Sequence, residues 1–163
     1  MNKNIVIITL VVVGFVGLVL WSSPAQQSVG SSTGAESALA AVELLYDFGT
    51  ISMKDGNVTK DFTVTNPGDS DILVSSLVTS CMCTKASIVR ADGSIKGPFG
   101  MPGMGFVPPA NETIKAGDSR VIRVVYDPNA HGPAGVGPID RLVTLTDKSG
   151  GALQLEIKAM VTP

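Results

Sequence analysis

Two thiols one residue apart are the groups in this chain best suited to chemistry. They are Cys81 and Cys83 in Ser80-Cys81-Met82-Cys83-Thr84, and the chain has no other cysteine. A cysteine thiolate is both a nucleophile and a soft-metal ligand. The pair ends a β-like run at 72–78. Extended backbone turns residues i and i+2 to the same face, so both sulfurs could approach one ion. A disulfide between them would close a small ring, and strained disulfides are more oxidising than structural ones. Three readings stand side by side: a buried or bonded pair that serves the fold, a soft-metal site, or a thiol redox centre. Met82 is expected to point away from its flanking cysteines, into the core.

Three further side chains bear on the metal reading. Met101 and Met104 are spaced so that a tight turn could aim both sulfurs at one point, and His131 is the only histidine. Thiolates and thioethers select Cu(I), and imidazole adds borderline affinity. If the loops carrying these residues gather at the cysteine end, Cys81, Cys83, Met101, Met104 and His131 form a candidate copper set. No other cofactor is expected. Plainer roles compete with this one. Methionines fill gaps under loops, and a loop histidine often hydrogen-bonds backbone. The one-Cys, two-His pattern of blue-copper proteins is absent, so that form of electron transfer is not expected.

No enzyme is expected. A single histidine limits acid–base chemistry, and no Ser-His-Asp order with a nucleophile elbow occurs. Gly100-Met101-Pro102-Gly103-Met104-Gly105 lacks the lysine and strand-to-helix setting of a phosphate loop. Cys-x-Cys is not Cys-x-x-Cys, and no helix N-terminus follows to activate a thiol. Asp47, Asp127 and Asp140 are read as turn and solvent-facing acids.

The elements that must position these residues are short strands. The 163 residues include 18 Gly and 10 Pro, with 16% charged and 5% aromatic side chains. This composition suits a turn-rich all-β domain. A net charge of -2 with no basic patch argues against a nucleic-acid partner. Residues 58–65, 120–126, 139–146 and 153–161 alternate apolar and polar, the period of a half-buried strand. Asn66-Pro67-Gly68-Asp69 and Lys148-Ser149-Gly150-Gly151 are turn signals. About seven such strands fit an immunoglobulin-like antiparallel β-sandwich over 41–163. Residues 91–119 break the rhythm as a long Gly/Pro/Met loop, expected to be functional and packed back on the domain.

Residues 1–4 are a short basic start, read as a cytoplasmic stub. Residues 5–21 run without a charge and read as one N-terminal transmembrane helix. An uncleaved anchor is favoured over a signal peptide cut after Ala25. Residues 22–40 read as a flexible tether. The expected location is a single-pass protein of the cell membrane, its C-terminal domain extracytoplasmic. The partners expected are the membrane and a protein bound through sheet edges or end loops.

Several landmarks recur together: Asp47-Phe48-Gly49-Thr50-Ile51, Phe62-Thr63-Val64-Thr65-Asn66-Pro67-Gly68, Ser80-Cys81-Met82-Cys83-Thr84, Ile114-Lys115-Ala116-Gly117-Asp118-Ser119 and Tyr126-Asp127-Pro128. Their order resembles an uncharacterised family of exported bacterial immunoglobulin-like domains of unknown function, similar to the Hydin and major-sperm-protein sandwich. The resemblance implies a seven-stranded sandwich outside the cytoplasm over about residues 42–162, and it brings no activity. The chain departs from it in Met82, where a small glycine is common, and in the long insertion.

Overall fold

The computed structural model describes residues 35–163. The expected stub and membrane segment, and most of the tether, lie outside the described residues. Among the described residues no helix is long and apolar enough to cross a membrane.

The described chain is all-β. Its strands are β1 (Ala40–Ala41), β2 (Leu45–Ser52), β3 (Val58–Thr65), β4 (Ile72–Thr79), β5 (Thr84–Val89), β6 (Ile95–Phe99), β7 (Glu112–Ile114), β8 (Ser119–Tyr126), β9 (Gly137–Asp147) and β10 (Ala152–Thr162). They form two five-stranded sheets, β1-β3-β8-β5-β6 and β2-β10-β9-β4-β7. The arrangement is sandwich-like, with a single core drawn from both sheets. The sheets thus hold more strands than the seven expected. The pairing is also not wholly antiparallel, because β2 runs parallel to β10.

Alternation explains the core. Along β10, Leu153, Leu155, Ile157, Ala159 and Val161 are buried, while Gln154 and Met160 face outward. Phe62 and Val64 of β3 and Ile122, Val124 and Tyr126 of β8 do the same in the other sheet. Each fully buried side chain of this size stabilises by about 1.5–3 kcal/mol relative to exposure. In β4 the buried residues Val74 and Leu77 fall out of phase by one. A register irregularity between Val74 and Ser76 accounts for this, because an extra residue flips the pleat.

Asp47-Phe48-Gly49 has a local cause as well. Asp47 Oδ1 accepts from Gly49 N at 2.7 Å, and Gly49 adopts φ 68°. The β2–β10 register shifts there, between Lys158 and Met160. The motif is therefore a bulge that re-aims β2, with glycine supplying the left-handed residue.

Residues 91–119 are not a strandless loop. They contain β6 and β7, one edge strand for each sheet. Glu112, the first residue of β7, is buried and fixes the segment. Its carboxylate meets Arg90 at 2.6 Å and Arg120 at 2.9 Å. Gly97 and Pro98 hid β6, because edge strands tolerate both, and β7 is only three residues long. The domain also begins earlier than residue 41. Ser37 Oγ donates to Asp147 Oδ2 at 2.7 Å, and Leu39 is buried.

Candidate functional site

The two cysteines occupy the turn that carries the chain from β4 in one sheet to β5 in the other. This corrects the expectation of an extended strand. Their Cα atoms are 5.3 Å apart, shorter than two residues of strand, about 6.6 Å. The turn is closed by Thr84 N donating to the Cys81 carbonyl at 3.1 Å. The Thr79 hydroxyl lies 3.0 Å from the carbonyls of both Cys81 and Thr84. Neighbouring strands clamp both ends. Ser80 N donates to Leu142 O, and Asp127 N donates to Cys83 O, each at 2.9 Å.

Cys81 and Cys83 are joined in a disulfide, and the described chain holds no free cysteine. The two sulfurs have different surroundings. Cys83 is buried at 2% exposure. Its sulfur accepts from Arg141 Nε at 3.3 Å and sits 3.7 Å from the Thr84 hydroxyl. Cys81 is half-buried, and its sulfur lies 3.2 Å from His131 Nε2. Met82 faces solvent at 40% exposure. It was expected in the core, but the turn places it at the outer tip.

His131 reaches the cystine from the loop after β8. Asp127 Oδ1 accepts from Asn129 N at 2.8 Å, and the Asn129 side chain donates to Met53 O at 2.8 Å. These bonds, with Gly132 N donating to Asn129 O at 2.9 Å, set the loop that presents the imidazole. One ligand atom each from Cys81, Cys83 and His131 falls within 4.8 Å of the others. Three of the five candidate residues are thus brought together. Met101 and Met104 lie in a turn closed by Met104 N and Met101 O at 3.4 Å. That turn is rooted beside the cystine, since Thr79 N donates to Gly100 O at 3.2 Å, but Met104 itself is 56% exposed.

Asp47, Asp127 and Asp140 are turn and surface acids, as read from the sequence. Asp140 pairs with Lys158 at 3.7 Å. Three charged groups were not anticipated. Arg141 stands 58 residues from Cys83 in sequence, and no local signal links them. Glu112 has its carboxyl held below the ordinary range, first by the Arg90 hydrogen bond and then by Arg120, against its burial. Burial pushes the Asp147 carboxyl up, but hydrogen bonds from Ser149, Ser37 and the Gly151 and Ser149 amides outweigh it and leave it lowered. Near the cystine, burial pushes the Tyr126 phenol up, so it stays neutral and acts as core.

Among solved structures, a protein of unknown function from Porphyromonas gingivalis W83 matches with TM-score 0.55 and 16% identity, covering 78% of this chain and 46% of that one. A family 123 glycoside hydrolase from Clostridium perfringens, described in connection with glycolipid glycan hydrolysis, matches with TM-score 0.52 and 8% identity, covering 72% of this chain and 22% of that one. The chain spans less than half of either protein, and the likeness is one of fold alone. Comparison with curated proteins finds no match. The landmarks of the first half of the domain, from Asp47-Phe48-Gly49 through Cys81-Met82-Cys83-Thr84, fall in residues 39–95, where the chain is similar to the family described as protein of unknown function (DUF1573).

Proposed function

We propose that this protein is a membrane-tethered, extracytoplasmic binding module of immunoglobulin-like fold, whose cystine turn, when reduced, takes up Cu(I). The observation that carries this reading is the convergence of the two cysteine sulfurs and the His131 imidazole within 4.8 Å. Two thiolates and an imidazole suit a soft monovalent ion better than hard divalent cations. The disulfide makes binding conditional, because the ligand is the thiolate and the sulfurs are spent while bonded to each other. Met101 and Met104 are candidate additional donors from the adjacent turn. The export assignment rests on the charge-free run at 5–21 behind Lys3, and on the cystine, since disulfides persist in oxidising compartments. The immunoglobulin-like assignment rests on the two-sheet pairing.

The test is a titration of the full chain in detergent, reduced and anaerobic, with Cu(I) against a competing chelator. We expect one-to-one uptake, lost in the Cys81→Ala/Cys83→Ala variant, weakened in His131→Ala and absent in the oxidised protein. A reduced chain that competes no better than the double variant would sink the copper reading.

A second reading, a protein-interaction surface, draws on exposed apolar side chains. Phe106 is 90% exposed, in the same loop as Met104. In that case Phe106→Asp would abolish partner capture while the cysteines serve only the fold.

A further inference from the structure

The unequal surroundings of the two sulfurs give the disulfide a direction. We propose that the Cys81–Cys83 cystine is a thiol–disulfide exchange centre of fixed polarity, in which an external thiolate attacks Cys81 and Cys83 departs as the thiolate. This inference uses the oxidised form and does not depend on the copper reading.

Access and charge point the same way. Cys83 is buried, whereas Cys81 is half-buried beside the exposed His131. Attack therefore falls on Cys81. The Cys81–Cys83 bond breaks as the new bond forms, and its electron pair leaves on Cys83 Sγ. A buried thiolate is costly unless a donor or cation meets it. Arg141 Nε already donates to Cys83 Sγ at 3.3 Å, and the Thr84 hydroxyl stands 3.7 Å away. Both are in place before the charge develops, so little reorganisation is needed. Among the described residues, Cys81 Sγ has His131 Nε2 and the Cys83 amide as hydrogen-bond neighbours, and no Arg or Lys side chain bonds it.

The second half-step restores the balance. Another external thiolate attacks the sulfur of the captured thiol, and Cys81 leaves. Cys81 leaves beside His131 Nε2, 3.2 Å away, and the two protein thiolates take up protons from water. The net change is one protein disulfide reduced to a dithiol and two small thiols oxidised to their disulfide. In reverse, the dithiol reduces a substrate disulfide through the same mixed intermediate. The turn survives ring opening, because the Thr84 N–Cys81 O bond and the Thr79 hydroxyl hold it without the sulfurs. The two thiols stay adjacent, and reclosure is intramolecular.

The experiment uses the oxidised full chain and glutathione as the probe thiol. A brief reaction is quenched with an alkylating reagent, and each cysteine is read by peptide mass spectrometry. We expect glutathione on Cys81 and the alkyl group on Cys83. Arg141→Gln should slow ring opening by about fivefold, and Arg141→Lys should recover part of the loss. Glutathione on Cys83, an even split between the two, or an unchanged rate in Arg141→Gln would overturn the proposal. If Arg141→Gln does not fold, the labelling pattern of the parent decides alone. Copper titration of the reduced chain is a separate readout, so either proposal can fail without the other.

Discussion

Glu112 shows how much one side chain can hold. It is a nearly buried carboxylate shared by Arg90 and Arg120, with Lys96 3.9 Å away. Removing one member of a buried charged cluster leaves the others uncompensated, at about 3–5 kcal/mol. Glu112→Ala should lower the unfolding free energy obtained from urea titration by that amount, and an unchanged midpoint would refute the role. The pH dependence has a definite sign. The folded carboxyl titrates below its ordinary value of 4.5, mainly because of Arg90. Its contribution is therefore complete above that value and is lost as pH falls through the lower, folded one. Urea midpoints measured from neutral pH into that acid window should fall more steeply for the parent than for Glu112→Gln. Nothing in the sequence singled out Glu112, because burial and three cationic neighbours are properties of the fold. The cysteines were legible as a candidate site from type and spacing alone. His131 was legible as a candidate, but its approach to Cys81 depends on how two loops meet.

At the level of the element, the strands read from period-two patterning are the ones that build the core. β10 is the clearest case. Ile157 is fully buried in a strand flanked by β2 and β9, so Ile157→Ala should cost about 2–5 kcal/mol. Neighbouring Lys158 faces out, and Lys158→Ala should cost no more than about 0.5 kcal/mol. Thermal or chemical unfolding of the pair checks the facing directly. β6 escaped the reading because an edge strand can carry Gly and Pro, and β7 because three residues are too few to show a period. The β2 bulge was visible as Asp-Phe-Gly without its meaning. Gly49 has φ 68° and open space where a Cβ would sit, so Gly49→Ala should cost about 1–2 kcal/mol from backbone strain alone. The cystine turn itself should matter little to stability. Closing so short a loop is worth about 2 kcal/mol or less, and reduction should leave the far-ultraviolet dichroism of the sheets unchanged.

For the molecule as a whole, the described β domain reaches back to the segment before β1. Ser37 caps Asp147 and Leu39 fills the core, so a chain starting at Ala35 should fold as the parent does. One starting at Val42 should lose about 1.5–3 kcal/mol for Leu39 alone. Comparing the two by chemical denaturation locates the boundary, and equal stability would return these residues to the tether. Patterning could not reveal this, because Ser- and Ala-rich sequence reads as linker until its partners on β9 and the β9–β10 turn are known.

The parallel pairing of β2 with β10 ties the beginning of the domain to its last strand. If the domain is exported as proposed, with residues 1–4 held inside and the chain beyond the anchor threading through a membrane pore, this sheet cannot close until its final residues are through. Such long-range pairing is slow to form and leaves apolar strands uncovered meanwhile. Translocation would therefore deliver an open chain whose Cys81 and Cys83 emerge, and can be oxidised, well before His131 and Arg141 arrive to receive them. The disulfide would then be in place before the strands that surround it, and folding would assemble the site around a bond already made.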